Sequence, residues 1–242
     1  MNLVIDVGNT LVKLAVFQLD EVVFKDGFEQ DYFLKKILLI KKKYPLIKDV
    51  IVGSSGKLSE VQLKCLETNF SFTRLSNELK LPFKNLYKTP KTLGVDRLAL
   101  MASASNKYTN TNVLVIDSGT CITYDFINAQ NEYLGGAISL GLNMRYEALQ
   151  YFTQALPLLE KKNIKHFVGD STETCIHSGV VNGLIQEIQG VINQYTEEYE
   201  DLTIILTGGD ANFLSKPLKS SIFVNSNFLL EGLNYLLNYN LK

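Results

Sequence analysis

Leu3-Val4-Ile5-Asp6-Val7-Gly8-Asn9-Thr10 and Leu114-Val115-Ile116-Asp117-Ser118-Gly119-Thr120 carry one pattern twice. Each is an apolar, β-branched run that delivers an aspartate to a glycine-containing turn. A second strand-like run follows each, Leu14 to Phe17 in the first copy and Ile122 to Ile127 in the second. Each copy predicts a β-hairpin with a polar tip, and the pair predicts a chain of two related halves. Two buried strands can share apolar letters by chance, but here Asp and Gly recur in step and each turn holds a Thr.

The text around the hairpins alternates between periods. Asp31 to Tyr44 predicts an amphipathic helix, Asp49 to Gly53 a buried strand, and Ser59 to Asn69 and Gly94 to Lys107 two more helices. After the second hairpin, Asn143 to Leu156 predicts a helix closed by Pro157. A long helix follows from about Thr172 to Tyr195, with Ile176, Val180, Leu184, Ile188, Val191 and Tyr195 at spacings of three and four. Thr203 to Leu206 predicts a strand and Leu229 to Leu237 a closing helix. Such alternation argues an α/β architecture with mixed sheets flanked by helices. Lys107 to Asn112 carries no periodicity and predicts the junction, with halves at 1–109 and 110–242.

Composition narrows the function classes. At 242 residues the chain is long enough for one large or two small cores, and 24 Lys plus Arg against 25 Asp plus Glu gives a net charge of −1. No basic surplus calls for nucleic acid or an anionic membrane, and no apolar run approaches the roughly 20 residues of a membrane span. Asp6 and Asn9 break the first apolar run, which has no basic leader and does not read as a signal peptide. Cys65, Cys121 and Cys175 stand far apart with no histidine at ligand spacing, which suggests a reducing compartment and no zinc; His166 and His177 read as structural. A small-molecule partner is expected.

At the first tip, Gly8, Asn9 and Thr10 can offer backbone N–H groups and a hydroxyl to an anion, while Asp6 can hold Mg²⁺ and Lys13 adds a point charge. One copy alone equally suits an ordinary hairpin whose Asp6 and Asn9 satisfy the turn. Two copies favour a phosphate grip, because a nucleotide clasped between halves needs tips from both. Thr207-Gly208-Gly209, after a strand, could bring backbone close to the adenosine part of a nucleotide, although paired glycines also end strands for turn reasons. Gly53-Ser54-Ser55-Gly56-Lys57 imitates a P-loop, but only two residues separate its glycines and Leu58 follows the lysine. Lys35, Lys36, Lys41, Lys42, Lys43 and Lys48 read as the solvated face and end of a helix.

Between Lys80 and Arg97 the lysines Lys80, Lys84, Lys88 and Lys91 surround one later acid, Asp96, beside Arg97. An anionic substrate suits this segment: Asp96 could accept a proton while Arg97 holds a carboxylate. The same residues equally suit a helix N-terminus with an Asp on the macrodipole and a solvent-facing Arg.

Taken in order, several motifs resemble type III pantothenate kinase. They are Asp6-Val7-Gly8-Asn9-Thr10 with Lys13, Tyr87 with Thr89-Pro90 and Gly94-Val95-Asp96-Arg97, and Asp117-Ser118-Gly119-Thr120 continuing to Thr123 and Asp125. Gly135-Gly136 with Gly141, Gly169 and Thr172 ahead of Ser178-Gly179, and Thr207-Gly208-Gly209 complete the series. The resemblance spans nearly the whole chain. It implies the acetate and sugar kinase, actin and heat-shock chaperone superfamily: two ribonuclease-H-like halves with the nucleotide in the cleft between them. It also implies ATP-dependent phosphorylation of pantothenate, the first committed step toward coenzyme A, by a cytoplasmic homodimer. Asp6, Val7, Gly8, Asn9, Thr10, Lys13 and Thr120 would bind ATP with Mg²⁺, and Asp117 a monovalent cation, potassium or ammonium. Tyr87, Gly94, Val95, Asp96, Arg97 and Thr172 would line the pantothenate pocket, with Asp96 as proton acceptor.

The chain departs from the family pattern where Ser139-Leu140-Gly141 replaces a Pro-Gly and Cys121 a small alanine. Neither change touches a charged or hydroxyl-bearing site position. A kinase for another small hydroxylated acid would alter Tyr87 and the Gly94 to Arg97 segment. A nucleotide-binding regulatory protein on the same scaffold would be expected to lose Asp96 or Lys13, and both are present.

Overall fold

The first copy of the repeat folds as the hairpin β1 (Asn2–Val7) and β2 (Val12–Gln18), antiparallel with Asp6 opposite Lys13. The computed structural model describes residues 1–8, 11–54, 58–164 and 166–241. β3 (Glu21–Phe28) pairs antiparallel with β2, and after α1 (Phe33–Lys43) the strand β4 (Asp49–Ser54) runs parallel to β1. After α2 (Glu60–Asn69), β5 (Ser71–Arg74) closes the order β3-β2-β1-β4-β5, and β6 (Lys84–Asn85) and α3 (Val95–Lys107) follow.

The second copy repeats this plan strand for strand. β7 (Asn112–Ser118) and β8 (Cys121–Ile127) are antiparallel, and β9 (Glu132–Leu140) lies next to β8. After α4 (Leu142–Tyr151), α5 (Thr172–His177) and α6 (Gly183–Glu198), β10 (Leu202–Thr207) runs parallel to β7. α7 (Ala211–Ser215) leads to β11 (Phe223–Val224), parallel to β10, and α8 (Phe228–Asn240) follows. The sheet order is β11-β10-β7-β8-β9-β6.

Strand alternation decides which way each tip aspartate points. Leu3, Ile5 and Val7 of β1 join Phe33, Ile37, Ile40 and Leu66 of α1 and α2 in one core. Asp6 therefore stands on the opposite face, the one covered by α3 and α8. In the second sheet Leu114 and Ile116 face the core made with Leu142, Tyr146, Val180, Leu184 and Ile188, so Asp117 likewise points away from that core.

Two expected helices differ in detail. α4 ends at Tyr151, short of Leu156: Tyr151 and Phe152 are 77% and 80% exposed, so continuing it would bury nothing. The Thr153 hydroxyl also donates to the Leu149 carbonyl at 2.6 Å, satisfying one of the last turn's acceptors. The long helix begins at Thr172 as expected but contains a π turn over Ser178–Asn182. Ile176, Val180, Leu184 and Ile188 recur every four residues, more than the 3.6 of an α-helix, and a wider turn keeps them on one buried face.

The contact units depart from the expected halves only beyond Thr109/Asn110, where two later segments return to the first unit. Chain contacts define one unit of Met1–Thr109, Asn131–Leu134 and Asn227–Lys242, and a second of Asn110–Gln130 and Gly135–Ser226. The closing helix α8 belongs to the first unit because Leu230, Leu233, Leu236 and Leu237 are buried as it packs on α3, β1 and β4. Gly232 lets it approach closely, since a Cβ there would lie 1.8 Å from the Ala99 carbonyl oxygen. Lys107 pairs with Glu231 at 2.7 Å, and Asn2 donates to Asn234 and Asn238 at 2.8 Å each.

Candidate active site

In the first unit, the tip residue Asp6 has Lys13 of β2 on one side and Gly53 of β4 on the other. The Gly8 N–H donates to the Leu11 carbonyl at 3.1 Å, closing the turn. Asp6 is buried and Lys13 exposed. Burial pushes the Asp6 carboxyl up to about 6; Lys13 opposes the shift and the charge of Asp96 adds to it. A buried carboxylate disfavoured by burial and by a second acid is a hard-oxygen donor suited to a divalent cation. Asn9 and Thr10 lie outside the described residues, as do Ser55, Gly56 and Lys57 of the P-loop look-alike.

Asp96 arrives from the first turn of α3. Gly94 is the residue before that helix and Val95 its first member. A Cβ at Gly94 would stand 2.5 Å from the Asp96 carboxylate, so glycine leaves that carboxylate room. The carboxylate accepts the Arg97 N–H at 2.9 Å. Arg97 is only 5% exposed, which overturns the solvent-facing alternative. Its guanidinium lies 5.5 Å from the ring centre of Tyr87, and Tyr87 stacks on Tyr133 of β9 at 6.1 Å and 14°. Tyr133 is buried edge-on against Phe83 at 6.2 Å, and neighbouring Glu132 pairs with Lys84 at 2.8 Å. Tyr133 thus backs the segment, a role sequence reasoning missed: nothing in its local period links it to residues near 87.

In the second unit, Asp117 has Thr123 of β8 and Thr207 of β10 as ladder neighbours, the positions that Lys13 and Gly53 hold beside Asp6. The Thr123 hydroxyl oxygen is buried with no hydrogen-bond partner among the described residues. An orphaned oxygen beside a carboxylate suits a monovalent cation better than a phosphate. Thr120 is exposed at the turn, and the Gly119 N–H donates to the Cys121 carbonyl at 3.0 Å. A Cβ at Gly141, the residue before α4, would stand 2.0 Å from the Thr120 carbonyl oxygen, so glycine lets that helix start against the tip. The exposed Cys121 thiol lies 3.9 Å from the Met144 sulfur.

The strand end Thr207-Gly208-Gly209 rests on the same tip. Gly208 has φ +96, and a Cβ there would meet the Asp117 carboxylate at 2.4 Å. Asp210 follows and donates its N–H to the Ser118 carbonyl at 3.1 Å. Thr172 is exposed at the start of α5, in the second unit, whereas Tyr87, Asp96 and Arg97 come together in the first. His177 is buried, with Nδ1 2.8 Å from the Tyr146 hydroxyl, as a structural histidine would be. Among the described residues, no group of three or more His, Cys, Asp or Glu side chains is arranged to hold a metal, and no helix is long and apolar enough to cross a membrane.

Two mixed sheets flanked by helices, each with an aspartate at its hairpin tip, define an actin-like fold of the class that includes sugar kinases. Component A of (R)-2-hydroxyglutaryl-CoA dehydratase from Acidaminococcus fermentans shares the fold with TM-score 0.54 and 13% identity, over 99% of this chain and 96% of that one. A Campylobacter jejuni protein assigned to the Baf family of transcriptional activators does so at TM-score 0.64 and 19% identity, over 98% of each chain. The chain belongs to the type III pantothenate kinase family, whose model matches residues 2–194. It is 50% identical to the type III pantothenate kinase of Christiangramia forsetii, over 99% of both chains. It is 47% identical to that of Flavobacterium johnsoniae, over 99% of this chain and 98% of the relative.

Proposed function

We propose that this kinase transfers the terminal phosphoryl group of ATP to the primary hydroxyl of pantothenate, giving 4′-phosphopantothenate. The observation that carries the division of roles is the meeting of two unlike carboxylates in the first unit: Asp6, buried at a strand tip, and Asp96, half-buried at a helix start. Phosphoryl transfer passes through a loose transition state, so positioning and charge neutralisation contribute most. Asp6 would hold Mg²⁺ together with the ATP phosphates, and Lys13 and the Val7 to Thr10 turn would take phosphate oxygens. The Mg²⁺, when bound, would neutralise charge on the phosphates.

Asp96 accepts the proton of the attacking hydroxyl. Its carboxylate is held by the Arg97 N–H and kept uncrowded by Gly94. Arg97 pairs with the substrate carboxylate, and the stack of Tyr133 and Tyr87 fixes where its guanidinium lies. Thr172, by resemblance, adds a hydroxyl to the pantothenate pocket. In the second unit Thr120 meets ATP, and Asp117 with the Thr123 hydroxyl holds potassium or ammonium. A cytoplasmic homodimer completes the reading, which rests on the resemblance.

ADP release measured through a coupling enzyme, with and without pantothenate and in potassium and then sodium buffer, tests it. Pantothenate-dependent ADP formation stimulated by potassium is expected. ADP formation indifferent to pantothenate would overturn the acceptor, and equal rates in sodium would overturn the cation site.

A further inference from the structure

The residue after the paired glycines carries chemistry that the phosphotransfer reading leaves unused. Asp210 is 7% exposed, and its N–H donates to the Ser118 carbonyl, which anchors its backbone at the tip that carries Asp117. Two carboxylates at one strand end repel a polyanion. ATP can settle there only if both are compensated, Asp117 by the cation it is proposed to hold and Asp210 by another partner. The Asp210 carboxylate is met by the Lys161 ammonium, reaching in from the irregular segment after α4. Lys161 also lies 6.0 Å from the ring centre of Phe213 on α7, which narrows the directions open to it. The Asp210 side chain is 10% exposed and that of Lys161 41%, so the acid is the desolvated partner and the lysine is the one that can leave.

We propose that Lys161 is a positioning residue for the nucleotide: by neutralising the buried Asp210 carboxylate it lets the Thr207-Gly208-Gly209 strand end accept the adenosine end of a polyanion. This rests on the reading of that strand end as the place of the nucleotide. Lys161 need not touch ATP. Removing it leaves an uncompensated buried acid beside the tip, whereas removing both partners leaves none.

Binding of a non-hydrolysable ATP analogue to the full chain, followed by calorimetry, tests the proposal. Lys161→Met should raise the Kd about tenfold. Lys161→Arg should restore most of the affinity, and so should Lys161→Met combined with Asp210→Asn. In steady state the KM for ATP should rise while that for pantothenate stays within about twofold. A merely structural lysine would change melting temperature without this split and without rescue by the double variant.

Gly209→Val provides the control, because a Cβ there meets nothing within 4 Å and the fold should tolerate it. If Gly209→Val weakens the analogue and Lys161→Met does not, the proposal fails alone. If Gly209→Val binds normally, the nucleotide is not on this strand end and the reading beneath the proposal fails with it.

Discussion

Asp6 and Asp96, from the first strand and from the third helix, stand close enough that the charge of one raises the other: with burial, Asp96 pushes the Asp6 carboxyl up to about 6 against the pull of Lys13. A group whose folded pKa lies above its unfolded value of 3.8 costs stability when ionised. That cost is complete above about pH 6, shrinks as pH falls through 6 to 3.8, and vanishes below.

Asp6→Asn should therefore do two opposite things. Turnover should be nearly abolished, because a neutral amide ligates a hard cation poorly. The ligand-free protein should melt higher at pH 7 to 8, by an amount worth at most about 3 kcal/mol, and lose that advantage below pH 4. In the unmodified enzyme kcat/KM should rise with pH through about 6. Melting curves across pH, beside activity, check this; a variant that is less stable at pH 8 refutes the burial account.

Adjacent residues Asp96 and Arg97 should fail differently. Arg97→Met removes a contact made in both ground and transition states, so the KM for pantothenate should rise by roughly ten- to two-hundred-fold, a charge-assisted bond costing about 1.5–3 kcal/mol. Asp96→Asn should lower kcat by about 10²-fold or more with pantothenate binding within a few-fold. Steady-state kinetics at saturating ATP separates them. The same pure binding defect in both would make Asp96 an anchor.

Gly141→Ala should weaken ATP binding without touching ATP. The new methyl would press on the Thr120 carbonyl, 2.0 Å away in the glycine protein, and either the tip or the start of α4 must shift. A rise in the KM for ATP of several-fold, with a lower melting temperature, is expected. An unchanged KM with lower stability would place Thr120 outside the nucleotide site.

Thr123→Val tests the cation with little change in volume. Losing the orphaned hydroxyl should weaken activation by potassium, visible as a higher half-saturating concentration, and Asp117→Asn should weaken it further. Potassium titrations of both variants at fixed ATP check this. Valine leaving the titration unchanged would remove Thr123 from the cation's surroundings.

Much of this was legible in the residues, for identifiable reasons. The hairpins and both tip aspartates follow from strand alternation and a glycine turn, which are local, and so does α3, whose start at Gly94-Val95 sets Asp96. The edge strand β3 was not legible: Glu21, Lys25 and Asp26 make it read as polar, and only pairing with β2 makes it a strand. Tyr133 behind Tyr87, and Lys161 on Asp210, join residues far apart in sequence through tertiary packing. Gly53 and Ser54 of the P-loop look-alike sit on a strand end for a reason the letters hide. Gly53 pairs with Asp6 as Thr207 pairs with Asp117, so both segments are the same station of a repeated plan.

Because α8 completes the first unit, the order in which the chain is made and the order in which its units can close are reversed. Leu98 and Met101 of α3 are fully buried in the finished protein, yet the helix that packs on α3 is not synthesised until residues 228–240. The second unit ends at Ser226 and has nearly all its own strands by then. On the ribosome the later half can therefore finish first, while the half bearing Asp6 and Asp96 waits with an uncovered apolar face. A nascent chain arrested before α8 would present that face to chaperones.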